Sequence, residues 1–273
     1  MRYLLQLHIT LSLVLFSAIS LAQCDVVSEK AHVSAVYPTA DVLPENLLRF
    51  YIYFSKPIQR ADVLSSIYLA DAKGNKLEGV FLDNKFDLWS PDNTRLTLLF
   101  DPGRVKTGLV AHNAMGRALK PGNDYQLVID AKLQDANNCG LEKTFKKHFR
   151  ATVQDYESPS ADKWVISKPR VNTRDALTVL FNGKIDHLSL AYRVRVKTVN
   201  GQSVSGKISL ANDEREWQFT PSLPWKSGEY SLVIDPKLED IAGNRMTGLF
   251  DQPLANKTLH SENWIIRPIY LVE

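Results

Sequence analysis

The chain has 273 residues, of which 44% are hydrophobic and 23% charged, with a formal net charge of +3. This balance excludes a disordered tail and a protein immersed in the membrane through its bulk, and the length suffices for one large or two ordinary domains. So small a net charge gives no reason to expect nucleic acid, whose binders show a concentrated basic patch or a recognised motif.

Met1-Arg2-Tyr3 carries one charge and precedes an almost wholly apolar run over residues 4–22. The pattern predicts a cleaved secretory signal peptide over residues 1–22, with small residues at Ser20 and Ala22 and Gln23 as the new N-terminus. A retained anchor is the rival, weakened because the run lacks charged flanks and stops before a polar segment. The mature chain is therefore expected to be exported, to the periplasm, the cell surface or the medium, without a transmembrane segment. Leu21-Ala22-Gln23-Cys24 also has the outline of a bacterial lipoprotein signal, although Gln23 stands where Gly, Ala or Ser normally precedes the lipidated cysteine. Cys139 is the only other cysteine. Two cysteines in an exported protein more often pair than stay free, so a Cys24–Cys139 disulfide is expected, with lipidation of Cys24 as the alternative.

Further along, Leu48, Phe50, Ile52 and Phe54 alternate with Arg49, Tyr51 and Tyr53, the period of a strand with one face in a core. Gly74-Asn75 and Pro91-Asp92-Asn93 read as turns. Residues 103–121 then form a long loop with Arg104, Lys106, Arg117 and Lys120 and no acidic residue. Loops of this length inside compact domains are uncommon and are often functional. One reading is a surface loop whose Leu109, Val110, Met115 and Leu119 cover the end of a sandwich. The other is an anion-accepting patch of the four cations, suited to the carboxylates or phosphates of an acidic glycan or an acidic protein surface.

After a polar stretch at residues 156–161, the chain repeats itself. Phe50-Tyr51-Ile52-Tyr53-Phe54 matches Leu177-Thr178-Val179-Leu180-Phe181, and Gly74 to Gly79 matches Gly201 to Gly206, both at an offset of 127. Tyr125-Gln126-Leu127-Val128-Ile129-Asp130 matches Tyr230-Ser231-Leu232-Val233-Ile234-Asp235 at an offset of 105. Phe100-Asp101-Pro102 against Phe219-Thr220-Pro221 gives 119, so the first copy carries 8 surplus residues before Phe100 and 14 after Pro102. Short alternating strands and frequent turns in each copy predict an all-β chain of two tandem sandwiches, residues 23–155 and 162–273, joined by a linker at 156–161.

Phe54-Ser55-Lys56-Pro57-Ile58, the paired Tyr-x-Leu-Val-Ile-Asp strands and above all Asp240-Ile241-Ala242-Gly243-Asn244 resemble bacterial Ig-like domains of the S-layer type, over most of residues 33–270. The resemblance implies Ig-like sandwiches and a role as extracellular spacer, adhesive module or accessory domain, with no shared catalytic residues to carry over. The first copy departs from the pattern, because Asp135-Ala136-Asn137-Asn138-Cys139 places Asn138 where the second has Gly243. Asn tolerates the left-handed backbone that Gly supplies, so the turn is expected to survive.

Familiar catalytic and metal signatures are missing from the sequence. Gly201-Gln202-Ser203-Val204-Ser205 only approaches a nucleophile elbow and reads better as a repeated hairpin turn. His32, His112, His148, His187 and His260 are dispersed without ligand spacing. Asp235, Asp240 and Asn244 are oxygen donors of the kind calcium takes, but Asp and Asn at such a turn more commonly cap backbone groups. Trp89, Trp164, Trp217, Trp225 and Trp264 are read chiefly as core or interdomain packing rather than a sugar platform. The expectation is a non-enzymatic binding, adhesive or spacer module at the cell envelope, with no cofactor or metal and an envelope or extracellular partner. The alternatives are a structural subunit of a surface layer or larger complex, and a hydrolase or its accessory module.

Overall fold

The computed structural model describes Cys24 and residues 29–83, 88–251 and 263–272. The predicted signal peptide and His260 lie outside them. Among the described residues no helix is long and apolar enough to cross a membrane. The strands are β1 (Val33–Tyr37), β2 (Val42–Pro44), β3 (Arg49–Phe54), β4 (Ile67–Asp71), β5 (Lys76–Leu77), β6 (Arg95–Leu99), β7 (Asp124–Ile129) and β8 (Phe145–Thr152), then β9 (Val165–Ser167), β10 (Leu177–Leu180), β11 (Val194–Thr198), β12 (Gly206–Ala211), β13 (Glu216–Pro221), β14 (Gly228–Ile234) and β15 (Ile265–Leu271). Among the described residues, four α-helices of four to seven residues accompany them: α1 (Val63–Ser66), α2 (Pro102–Val105), α3 (Val110–Met115) and α4 (His187–Arg193). The fold is all-β and Ig-like.

A three-stranded sheet β1-β3-β6 faces a five-stranded sheet β2-β8-β7-β4-β5. Their inner faces meet in one core, in which Phe50 and Ile52 of β3 oppose Leu127 and Ile129 of β7, and the Phe50 ring lies 5.7 Å from that of Phe149. A second pair of sheets, β9-β10-β13-β12 and β11-β14-β15, encloses its own core around the fully buried Trp217. Period-two alternation produces both cores, since every second side chain of each strand turns inward.

Local geometry recurs between the two sandwiches. Ile67 pairs with Ile129 and Val194 with Ile234, at the offsets of 127 and 105 read from the sequence. The β3–β6 register differs. Phe50 pairs with Leu98 whereas Leu177 pairs with Phe219, so these strands correspond at an offset of 121, two residues from the Phe-x-Pro match. Tyr125 Oη accepts a hydrogen bond from Lys120 N at 2.9 Å, and Tyr230 Oη one from Lys226 N at 3.1 Å, the same upstream backbone tie that fixes a tyrosine corner in Ig folds.

The Asp-led turns are also equivalent. Asp135 Oδ1 accepts from the backbone of Asn137 and Cys139, at 2.9 and 3.0 Å, and Asp240 Oδ1 from Ala242 and Asn244, both at 2.8 Å. Asn138 takes φ +62° where Gly243 takes +82°, so the first turn survives its missing glycine. Cys139 at the end of that turn is bonded to Cys24.

Candidate functional site

The sequence assigns β3 one buried face, but β3 is covered on both. Its second row, Arg49, Tyr51 and Tyr53, faces the second sandwich, and Tyr51 is only 3% exposed. The Tyr51 hydroxyl is shared between Asp186 Oδ1 and Oδ2 at 3.0 and 2.9 Å. Asp186 is the N-cap of α4, where its side chain also accepts from Ser189 N at 2.8 Å. Arg49 lies 3.5 Å from Asp186 and donates to Glu239, which also holds Arg245. Next along α4, the His187 ring stacks on Tyr37 at 3.7 Å, and its Nε2 lies 3.0 Å from the Tyr53 hydroxyl.

Three further contacts close this seam. The Asn212-Asp213-Glu214 turn has three successive left-handed residues, φ +53°, +55° and +61°, a conformation costing about 1–2 kcal/mol per residue without glycine. It points the Glu214 carboxylate at Thr39, whose N–H and hydroxyl donate at 2.8 and 2.7 Å. On the other side, Ile241 of the Asp-led turn enters the first sandwich's core, and its carbonyl accepts from Leu48 N at 3.1 Å. Asp155 exchanges hydrogen bonds with Asn46 at 2.8 and 2.9 Å and accepts from Asn244 at 3.0 Å, so the chain is pinned where it passes between sandwiches.

Burial sets the electrostatics of the seam. It raises the Asp186 carboxyl despite Arg49, and raises Glu214 despite the two Thr39 donors. Burial, then Asp155, holds Asp240 well above the usual carboxylate range, and burial with the neighbouring Asp186 raises the Tyr51 phenol. Burial alone would lower Arg49, but Asp186, Tyr51 and Glu239 together outweigh it. Burial and then Arg95 pull His187 down to about 4. Strongly shifted groups often mark catalytic sites. Here Arg49, Tyr51 and Asp186 hold one another, Glu214 is held by Thr39 and Asp240 by its own turn, and the space lined by Tyr37, Arg49, Tyr51, Asp186, His187 and Glu214 has no room for a water molecule.

The basic segment lies elsewhere on the first sandwich. Residues 103–121 are not a bare loop: α2 begins at Pro102 behind the Asp101 cap, which accepts from Gly103 N at 2.7 Å, and α3 follows. Its four cations do not form one exposed patch. Arg117 turns inward to Val105 O, to Gln154 at 2.7 Å, and to Asp251 and Glu45 at 3.4 and 3.7 Å. Lys106 lies 5.6 Å over the Phe250 ring. Arg104 and Lys120 instead line an open groove of about 510 Å³ with Lys73, one edge of Arg117, Asp71 and Asp124. Of the four apolar residues expected to cover the sandwich end, Leu119 is buried, whereas Leu109, Val110 and Met115 are exposed.

Asp235, Asp240 and Asn244 make turn contacts. Asp240 Oδ2 accepts from Asn244 Nδ2 at 2.9 Å, and Asp235 Oδ1 from Lys237 N at 2.8 Å. Among the described residues no cluster of three or more His, Cys, Asp and Glu is placed to hold a metal. Trp164, Trp217 and Trp225 are core residues, while Trp264 is exposed.

No protein-family model matches the sequence, and no curated protein matches it. Among solved structures, the chain is similar to the MG0-NIE-MG1 part of native alpha-2-macroglobulin from Escherichia coli, at 16% identity over 75% of this chain and 66% of that one, with a TM-score of 0.29. It is similar to the N-terminal part of the bacterial S-layer protein SbsC at 13% identity, over 75% and 40% of the two chains, with a TM-score of 0.29. It is also similar to titin domains Z1Z2, solved in complex with telethonin, at 10% identity over 90% and 96%, with a TM-score of 0.24. The chain thus spans two thirds or less of the two bacterial chains. The fold assignment rests on the strand orders and the two cores.

Proposed function

We propose that this is an exported, non-enzymatic binding module in which two sandwiches, built by duplication over residues 23–155 and 162–273, act as one stiff body and present the groove beside residues 103–121. The observation that carries this reading is the seam. Its Tyr51, Asp186, Arg49 and Glu239 have polar groups directed at one another, Glu214 is directed at Thr39, and Ile241 is a core residue of the opposite sandwich. A hinge would leave such groups wet or unpaired at each opening, whereas a fixed spacer keeps them buried. The shifts of Asp186, Glu214, Asp240 and His187 come first from burial in the seam, which supports a structural rather than a catalytic use.

The groove supplies the binding surface. Arg104, Lys120 and Lys73 line it together with Asp71 and Asp124. Asp124 is engaged by Arg150 at 2.9 Å and Asp71 by the backbone of Lys73 and Asn75 at 2.9 Å, while Arg104 donates one bond to Met115 O at 3.1 Å. An acidic glycan or acidic protein surface at an envelope fits this arrangement. Calorimetry with polygalacturonate should show binding that weakens steeply as salt rises, because exposed charges are screened within about 10 Å at 0.1 M. Replacing Arg104 and Lys120 with Ser should abolish that binding and leave the melting temperature nearly unchanged. Binding of the acidic polymer that survives both replacements would show that the groove is not the site.

A further inference from the structure

One outward face of the second sandwich departs from the usual rule that a solvent-facing strand row is polar. Along β15 and its flanks the outward positions are Trp264, Ile266, Pro268, Tyr270 and Val272, all exposed and none charged. Ile269 and Leu271, between them, point into the core. The neighbouring columns of the same face are Val233, Ser231 and Glu229 on β14 and Arg195 and Lys197 on β11. A contiguous apolar stripe of this kind marks an interaction surface rather than ordinary scatter of exposed hydrophobics.

We propose that this stripe is the contact between two copies of the chain, packed sheet on sheet about a two-fold axis at Pro268. Three observations select a second copy. First, the stripe is complementary to itself. A two-fold at Pro268 lays bulky Trp264 against small Val272, and Ile266 against Tyr270, so each large side chain meets a smaller one. Such an isologous contact needs only this one surface. The same rotation brings Glu229 of one copy beside the Val233–Arg195 row of the other, which gives the flank an opposite-charge pair. Second, β15 is the edge of its sheet, but Pro268 in its middle lacks an N–H. That disfavours strand-to-strand addition along the edge and leaves the face.

Third, the area matches a weak, specific dimer. Trp264, Ile266, Tyr270 and Val272 are 52%, 62%, 54% and 78% exposed. At the usual size of such side chains they offer on the order of 500 Å² per copy, about 1,000 Å² for the pair, the lower limit of a specific interface. A hydrated glycan fits less well, because five successive outward positions give its hydroxyls no side-chain partner apart from Trp264 and Tyr270.

Sedimentation velocity of the full exported chain tests this over about 1–100 µM, the range in which an interface of that size dissociates. The sedimentation coefficient should rise from monomer to dimer across the series. Ile266→Lys with Tyr270→Lys should hold the protein monomeric throughout with an unchanged melting temperature. Leu180→Lys, at an exposed position on the opposite sheet, should leave the dimer intact. With Pro268→Cys, a short bismaleimide should join two chains, since facing sheets lie about 10 Å apart. With Val199→Cys, at the margin of the face, it should not. A wild type that stays monomeric at every concentration overturns the proposal, as does a dimer that the Ile266 and Tyr270 replacements leave unchanged.

Discussion

Tyr51 and Asp186 are 135 residues apart in sequence, yet the Tyr51 hydroxyl sits 3.0 and 2.9 Å from the two carboxylate oxygens of Asp186 in the interior between the sandwiches. Removing that hydroxyl leaves a buried carboxylate short of a donor, a loss of about 1–3 kcal/mol. Tyr51→Phe should therefore lower the unfolding free energy by that amount in a urea titration. In an Asp186→Ala background the same replacement should cost less than half as much. Equal costs in both backgrounds would show that the two residues are not coupled.

The seam also makes stability depend on pH through His187. In an unfolded chain this imidazole titrates near 6.5, whereas in the fold burial and then Arg95 bring it to about 4. Between those values the folded form binds fewer protons, so this contribution is complete above pH 6.5 and is lost as the pH falls towards 4. Asp186 and Glu214 act in the opposite sense, because their raised values favour the protonated fold in acid. The informative quantity is thus the difference from His187→Gln, which stays neutral and keeps a hydrogen-bonding group for Tyr53. Thermal melts at pH 7 and pH 5 should show the wild type losing more stability than the variant, by on the order of 1 kcal/mol after solvent screening. Parallel losses would remove His187 as the cause.

The Cys24–Cys139 bridge closes a loop of 115 residues and ties the N-terminal segment to the first Asp-led turn. Restricting the unfolded chain over such a loop stabilises by about 2–5 kcal/mol. Cys139→Ser should lower the denaturation midpoint accordingly, and the exported protein should gain two alkyl adducts only after reduction. Adducts without reduction, or a lipid-sized mass on Cys24, would contradict the bridge.

Which features could be read in advance follows from how local they are. The inward row Phe50, Ile52 and Phe54 is legible because a period of two needs only one strand. The outward row Arg49, Tyr51 and Tyr53 reads as solvent-facing for the same reason, and its burial depends on a surface more than 130 residues away. Its only local hint is two tyrosines on a face where charged or small polar residues are usual. The surplus after Pro102 appears as a change of offset, but α2 and α3 are too short for a 3.6-residue period to show. The cations of that segment look alike in sequence. Glu45, Gln154 and Asp251 separate Arg117 from the others only after folding. The register difference at β6 escapes because Phe100-Asp101-Pro102 and Phe219-Thr220-Pro221 match as words while their strands pair two residues apart.

The two Asp-led turns offer a direct comparison of what a left-handed residue contributes alone and at a contact. Asn138 and Gly243 occupy the same place, with φ of +62° and +82°. At Gly243 the backbone demand is joined by a steric one: a Cβ there would lie 2.7 Å from Leu48 Cδ2 and 3.2 Å from the Phe250 ring. The first is closer than carbon atoms can pack, and Leu48 belongs to the segment that Ile241 engages across the seam. Gly243→Ala should therefore incur the left-handed cost of about 1–2 kcal/mol and, in addition, force the Leu48 side chain to repack at the seam. Asn138→Ala should incur the backbone cost and lose the exposed hydrogen bond from Gln59, whereas Asn138→Gly should lose only that bond and some folding entropy, since glycine meets the same φ without strain. Chemical denaturation of the three variants should rank them Gly243→Ala, Asn138→Ala, Asn138→Gly from most to least destabilised. Amide exchange at Leu48, whose N–H donates to Ile241 O across the seam, should rise in the first variant alone. If Gly243→Ala costs no more than Asn138→Ala and leaves Leu48 protected, the close approach at Gly243 does not help to hold the seam.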